Sequence, residues 1–402
     1  MDSIGPDGIS PPRTLAGPAK PALLREINDS VALNLFLKHG TLSRSDIVRL
    51  TGVSKPTGSL VLARLEAAQL VVPVGVSGGR PGRAAQLYEL NRRSAFGAAL
   101  DVTPDQIHAQ VADITGRVVG EHVLTKPGTA PGSGPASGLQ ALDAALANAG
   151  LQRTDLRCLV LGATGSYDAA SDRLAYARQL PGWQGTGIVS GLQEQLDVAV
   201  LVENDVNLAA IAERRLGQAR EFPDFFLFWV GDGIGGALVI DDRLHRGRTG
   251  GAGEVAFLQL PGAPVVRNVD RGDTGGFEDW AGAQQIIAVA GEHGLTGTDA
   301  VSVVSAAAKA ATDHGFLDDL ATRFALGLAS VIAVLDPSAI ILAGPIMAAG
   351  GDRLRTLIAA RTAEVAVTTP PLLLSTVPGN AVLTGALITA MDRTRATTFS
   401  PS

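Results

Sequence analysis

From Pro21 onward the apolar residues Leu23, Leu24, Ile27, Val31 and Leu35 recur three and four apart and stop at Gly40, a spacing that predicts an amphipathic helix. Ser43 stands where a short second helix needs an N-cap, and Gly52 supplies the tight turn after it. Ser54 caps a third helix, with Pro56 in its first turn, where a missing N–H does no harm. Leu60, Val61 and Leu65 are read as its inward face, and the helix runs to about Ala68. Two apolar-rich strands follow, near Leu70–Val76 and Ala84–Leu90, on either side of the turn-rich basic tip Ser77–Arg83. Helix, short helix, glycine turn, capped helix and basic hairpin together predict a winged helix-turn-helix over 21–93. Residues 1–20, rich in Pro and Gly without periodicity, read as a flexible tail.

The remainder, 94–392, reads as α/β. Strand-like runs occur at Ala95–Val102, Gln106–Asp113, Cys158–Gly162, Val198–Val202, Phe225–Val230, Ala237–Ile240 and Ala339–Leu342. Helical stretches lie between several of them, at Ser137–Ala149, Ile188–Gln195, Val206–Leu216, Trp280–Glu292, Val301–Asp313 and Leu317–Leu335. Each half opens with a hairpin, the first turning at Thr103-Pro104-Asp105 and the second at Gly231–Gly236. Two hairpin-led halves predict a two-lobed body with a cleft. Lobe one is placed at about 94–207 plus a C-terminal helix over 380–392, lobe two at 208–379, and 393–402 is left as a tail.

Composition narrows the class. The 402 residues are 46% hydrophobic and 18% charged, enough apolar material for buried cores, which excludes wholesale disorder. The single cysteine, Cys158, sits in an apolar run and excludes a disulfide framework. No secretory start and no run long enough to span a bilayer are visible, so a cytoplasmic protein without membrane contact is expected. The net charge of −6 is unevenly spread. Segment 21–93 holds ten bases against five acids, whereas residues from 94 onward hold 21 bases against 32 acids. A basic head on an acidic body suits a polyanion-binding module, and the bland alternative is a solvated surface with chance asymmetry. In the groove-reading geometry, Lys55, Thr57 and Ser59 at the start of the third helix would meet base edges or phosphates, with Arg80 and Arg83 of the wing on the backbone or in the minor groove.

Within the body, Gly231-Asp232-Gly233-Ile234-Gly235-Gly236 formally satisfies G-x-G-x-x-G, but a strand follows rather than a helix, which rejects a dinucleotide site. A glycine hairpin with free N–H groups can still cradle phosphate. Val202-Glu203-Asn204-Asp205-Val206-Asn207 lies where a strand gives way to a helix. Its carboxylates and amides can bond a polyol, one carboxylate can serve as a base, or Asn204 and Asp205 simply cap the helix. Gly250-Gly251-Ala252-Gly253-Glu254 is a glycine run ending in a carboxylate, otherwise a surface loop. His39, His108, His122, His245, His293 and His314 show no metal-ligand spacing, so no metal is expected. Neither a P-loop nor a G-x-S-x-G elbow occurs.

In order and content these residues resemble the ROK family of repressors, open reading frames and sugar kinases, from about Val31 to Met391. The resemblance rests on the winged helix, Gly162-Ala163-Thr164-Gly165, Leu180-Pro181-Gly182-Trp183, Glu203–Asn207, the Gly231–Gly236 hairpin, Gly251-Ala252-Gly253-Glu254 and Leu342-Ala343-Gly344-Pro345. It implies an actin-like, hexokinase-type body, usually dimeric. By that resemblance Asp205 would take the proton from a sugar hydroxyl, Asn204 and Glu254 would hold the sugar ring, Gly165 would belong to the same effector pocket, and the glycine hairpins would hold ATP. Three departures stand out. The first hairpin reads Asp101-Val102-Thr103-Pro104-Asp105 where the kinases have Asp-x-Gly-Gly-Thr. Gly253-Glu254-Val255-Ala256-Phe257 lacks the family's histidine. The zinc-holding cysteine cluster is absent from about Asn268–Glu278.

The expectation is a sugar-responsive transcriptional repressor that binds double-stranded operator DNA as a homodimer or dimer of dimers. No cofactor is expected, and no catalytic residue acts unless Asp205 still works as a kinase base. One alternative is an active sugar kinase with an accessory DNA-binding head. A further one is a regulator that no longer senses an effector, or that senses one less polar than a simple sugar, because Phe257 replaces the histidine.

Overall fold

A computed structural model describes residues 21–76, 85–130, 132–168, 171–175, 180–265 and 275–399. They divide into two compact units, one holding the described residues up to Ser94 and from Arg395, the other Ala95–Thr394.

The first unit contains α1 (Pro21–His39), β1 (Leu42–Ser43), α2 (Arg44–Thr51), α3 (Lys55–Ala67), β2 (Val71–Val76) and β3 (Gln86–Leu90). The strands form an antiparallel sheet in the order β1-β3-β2, with Val71 opposite Leu90 and a bulge between Pro73 and Gly75. Ser43 and Ser54 cap α2 and α3 as the sequence predicts, and Gly52 closes α2 at φ +72°. The core face differs from the expected one. Leu24, Ile27 and Val31 of α1 and Leu60 of α3 are exposed, while Ala32, Leu33, Phe36, Ile47, Val61, Leu62 and Leu65 are buried. Periodicity reveals that a helix has an apolar stripe; which stripe is covered depends on the neighbouring helices, and α1 carries more than one. Gly58 serves the packing of the head: a Cβ there would lie 2.6 Å from Val48 Cγ2, so the glycine lets α3 approach α2.

The second unit holds two five-stranded sheets of the same plan, a meander of three antiparallel strands followed by two parallel ones. In the first, β4 (Phe96–Val102), β5 (Gln106–Asp113) and β6 (Val118–Thr125) make the meander, and β7 (Leu156–Ala163) and β10 (Ala199–Asn204) extend it in the order β10-β7-β4-β5-β6. Between the last two lie the short pair β8 (Ser166–Asp168) and β9 (Arg173–Ala175). In the second sheet, β11 (Phe225–Val230), β12 (Ile234–Ile240) and β13 (Arg243–His245) pair with β14 (Ala339–Ala343) and β15 (Leu372–Leu374) in the order β13-β12-β11-β14-β15. The inner strands are covered on both faces, so β4 and β14 are buried along their whole length; β14 reads as an unbroken apolar run, and β4 does so except at Asp101.

Helices α4 (Gly134–Asn148) and α5 (Ile188–Leu196) cover one face of the first sheet through Leu139, Leu142, Leu146, Ile188 and Leu192. Its other face carries α12 (Ala381–Phe399) and Leu208 of α6 (Asp205–Leu216). On the second sheet, Val206, Ala209 and Ala210 of α6 cover one face. The opposite face packs on α7 (Glu278–Ala281), α8 (Ala283–Glu292), α9 (Ala300–Lys309), α10 (Phe316–Leu335) and α11 (Pro345–Val365). There Phe228 stacks on Phe277 at 5.7 Å and meets the edge of Phe324. Helix α6 thus serves both sheets, so the expected lobe boundary at 207/208 falls inside one rigid element. The expected tail from 393 is corrected as well. Helix α12 continues to Phe399, because Thr394 and Phe399 are buried and the helix has no breaker after Asp392. No described helix is long and apolar enough to cross a membrane.

Candidate functional site

At the head of α2, the Asp46 N–H donates to Ser43 Oγ (3.2 Å) and the Ser43 N–H returns a bond to Asp46 Oδ2 (3.0 Å). The Ser43 hydroxyl, chiefly, and Arg49 hold the Asp46 carboxyl at about 2. At the head of α3, the Thr57 N–H donates to Ser54 Oγ (3.3 Å) and the two hydroxyls share a 2.8 Å bond. Thr57 is therefore engaged in the cap. Ser59 Oγ donates to the Lys55 carbonyl (3.0 Å) and accepts from Arg44 Nη1 (3.3 Å). Arg64 grips Asp29 through two bonds of 2.9 and 2.5 Å, tying α3 to α1. The exposed Lys55 and the half-buried Thr57 and Ser59 lie together on one end of α3. Arg80 and Arg83 lie outside the described residues. Arg44 is a participant the sequence reading missed, since fifteen positions separate it from Ser59.

In the second unit the parallel strands β7 and β10 end side by side, Ala163 opposite Asn204. Asn204 is the N-cap of α6: the Asn207 N–H donates to its Oδ1 (3.1 Å), while its Nδ2 donates to the Gly165 carbonyl (3.1 Å). Gly165 sits at φ +97°, a left-handed value suited to glycine. Asp205, the first residue of α6, accepts from its neighbour Val206 N–H (2.9 Å) and from the Thr164 hydroxyl (3.1 Å). Capping and site chemistry thus coexist here. Burial pushes the Asp205 carboxyl above the usual range against those bonds. Glu254 is raised too, first by burial and then by the charge of Asp205. The structure so brings Gly165, Asn204, Asp205 and Glu254 into one neighbourhood.

Asp101 joins them unannounced. It closes β4, only 7% exposed, and accepts from Asn380 Nδ2 at 2.6 Å. Burial raises its carboxyl, Asp205 adds to the rise, and Asn380 and His108 oppose it. A charge ending a buried apolar strand was the available signal; Asn380, 279 positions away, left none. Glu203 accepts from Asn207 Nδ2 (2.8 Å) and pairs with Arg246 Nε (2.6 Å). The glycine run is not a free loop. Ser166 Oγ donates to the Thr249 carbonyl (3.1 Å), and a Cβ on Gly250 would meet that same hydroxyl at 2.5 Å.

The two hairpins engage their amides differently. At the first, the Thr103 N–H donates to the Gln106 carbonyl (3.0 Å), the Gln106 N–H donates to Thr103 Oγ1 (3.2 Å), and Pro104 has no N–H. The exposed tip carries Asp105. At the second, the Ile234 N–H, expected to be free, donates to Glu278 Oε2 (2.8 Å), and the Gly231 N–H donates to the Gly233 carbonyl (3.0 Å). The first turn, with a carboxylate at its tip, no N–H on Pro104 and the Thr103 and Gln106 amides engaged, does not fit a triphosphate. Among the described residues no three His, Cys, Asp or Glu side chains are grouped to hold a metal.

Comparison with known proteins agrees with this architecture. The family model described as ROK family matches residues 98–392. A putative xylose repressor of Caldicellulosiruptor sp. (strain Rt8B.4) is 23% identical over 336 residues, spanning 80% of this chain and 84% of that protein. The structure of a ROK family transcriptional regulator, a homologue of the E. coli MLC protein, superposes with a TM-score of 0.71 at 19% identity, covering 94% of this chain and all of that one. A ROK hexokinase from Thermus thermophilus aligns at TM-score 0.62 and 26% identity, over 73% of this chain and 97% of its own. The body is accordingly an actin-like α/β fold preceded by a helix-turn-helix head, and the chain belongs to the ROK family.

Proposed function

We propose that this chain is a transcriptional repressor that binds double-stranded operator DNA through its winged head and senses a sugar-like molecule at Gly165, Asn204, Asp205 and Glu254, with phosphoryl transfer lost. The observation that carries the loss is the turn Thr103–Gln106, where the Thr103 and Gln106 amides are engaged within the turn, Pro104 has no N–H, and the tip brings the Asp105 carboxylate where a kinase needs donors for phosphate. The sugar-binding half rests on Asn204, which donates to the Gly165 carbonyl, on Asp205, which accepts from the Thr164 hydroxyl, and on the half-buried Glu254, whose carboxyl feels the charge of Asp205. The DNA-binding half rests on two serine-capped helices and the +5 charge of 21–93. The repressor relative, named for xylose, makes D-xylose the first effector to try. A homodimer is the matching assembly, since twofold operators pair with twofold proteins.

The purified chain, titrated against the DNA upstream of its own gene with unrelated competitor DNA present, is expected to prefer that region and to lose affinity when the right sugar is added. Equal binding to unrelated DNA rejects the repressor reading. The second reading, an active sugar kinase, rests on Asp205 and the second glycine hairpin, Gly231–Gly236. ATP-dependent phosphorylation of a pentose and hexose panel that disappears in Asp205→Asn would establish it.

A further inference from the structure

Three arginines of the helix-turn-helix have partners of different kinds. Arg49 is paired with Asp46 and Arg64 with Asp29. Arg44, the first residue of α2 and exposed, forms no ion pair among the described residues; its guanidinium rests on a neutral hydroxyl, Ser59 Oγ, at 3.3 Å. That hydroxyl already donates to the carbonyl of Lys55, the first residue of α3. The unpaired cation of α2 and the exposed ammonium-bearing residue of α3 therefore meet at one serine. The capping bonds of Ser43 and Ser54 fix both helix starts, so the two positions are held rigidly.

Resting on the DNA-binding reading above, we propose that Arg44 is a phosphate-contacting residue that parks on Ser59 in the free protein and, on reaching the DNA backbone, hands Ser59 back to groove recognition. A long bond from a charged donor to a neutral hydroxyl is weaker than the same guanidinium on a phosphate oxygen, so the exchange runs toward DNA. Ser59 keeps its donated bond to the Lys55 carbonyl, so once Arg44 leaves, its oxygen is open as an acceptor. Phosphate contact by Arg44 and base contact by Ser59 are thus coupled: the second becomes available when the first is made.

The test uses the full chain and three variants at one position. Arg44→Gln keeps a donor for Ser59 and removes the charge; Arg44→Lys keeps the charge; Arg44→Ala removes both. Binding to the operator and to an unrelated duplex is measured by fluorescence anisotropy across a salt series. Arg44→Ala is expected to weaken both duplexes by the same factor, roughly tenfold at 0.1 M salt, whereas Arg44→Gln, whose amide stays on Ser59, is expected to weaken both and the operator the more; each should lower the slope of log K against log salt by about 0.9. Arg44→Lys is expected to keep the wild-type slope. Ser59→Ala should leave the slope unchanged and reduce the preference for operator. An Arg44→Gln protein with the wild-type slope, or with a loss confined to the operator, overturns the assignment. Unchanged helical circular dichroism in each variant separates these outcomes from misfolding. Failure of the wild-type chain to bind either duplex in a salt-dependent way would strike the repressor reading itself, a different result from any of these.

Discussion

Asp46 and Asp101 are both carboxylates at the edge of a regular element, yet their environments push them in opposite directions, and so does their dependence on pH. Asp46 is held at about 2 by the Ser43 hydroxyl and Arg49. A depressed acid contributes stability that is present above its unfolded value of 3.8 and is lost as pH falls toward 2. With a third of the side chain in water, that contribution is screened to about 1 kcal/mol. Asp46→Asn is therefore expected to weaken amide-exchange protection of α2 by about 1 kcal/mol at neutral pH, and the deficit should shrink between pH 4 and pH 2. No shrinkage would place the effect in packing rather than charge. Asp101 is raised, chiefly by burial and further by Asp205. Its penalty is absent below 3.8 and grows as pH rises through its folded value, so Asp101→Asn, whose amide oxygen can still accept from Asn380, should raise the melting temperature of the body at pH 7 and not at pH 4. Buried carboxylates that repel one another are a burden on folding, and the burden at Asp101, Asp205 and Glu254 is the physical ground for the binding site proposed there.

At the scale of elements, glycines report where backbones must come close. Gly58→Ala would gain up to ~1 kcal/mol of helix propensity, but the added methyl meets Val48 at 2.6 Å, and overpacking of that kind costs about 1–3 kcal/mol. We expect a net loss in the head, relieved by adding Val48→Ala. All three tryptophans, Trp183, Trp229 and Trp280, lie in the body, so their fluorescence transition should stay put while exchange in α2 and α3 accelerates. In the body, a methyl on Gly385 of α12 would run into the Leu208 carbonyl of α6, which is backbone and cannot rotate away. Gly385→Ala should accordingly shift that tryptophan transition. The caps at Ser43, Ser54 and Asn204, the strands β5 and β11, and the glycine turn after α2 were legible because each is written in a few consecutive residues. The buried face of α1, the bond from Asn380 to Asp101, and the pairing of Arg246 with Glu203 were not, because each depends on a partner that only the folded chain supplies. The strands β6 and β15 were missed for other reasons. The edge strand β6 alternates weakly, and β15 is three residues long.

For the whole molecule, the division into a basic head and an acidic body was readable from the helix-turn-helix pattern and the charge it encloses, whereas the two-sheet plan of the body needed strand order, which no local pattern encodes. The plan makes a demand on function that can be measured without knowing how the units are arranged. If one chain binds both operator and sugar, and sugar lowers operator affinity by some factor, the operator must lower sugar affinity by the same factor, because both paths close one thermodynamic cycle. Coupling of this kind is typically about 5–150-fold. Calorimetric titration of the sugar into free protein and into the protein–operator complex should return the factor found by titrating operator with and without sugar. Asp205→Asn, altered in the body only, should abolish both shifts while leaving operator affinity in the absence of sugar unchanged. Two unequal factors would mean that the sugar acts on something other than this chain. An Asp205→Asn protein that still responds would move the sensing site away from the junction of β10 and α6.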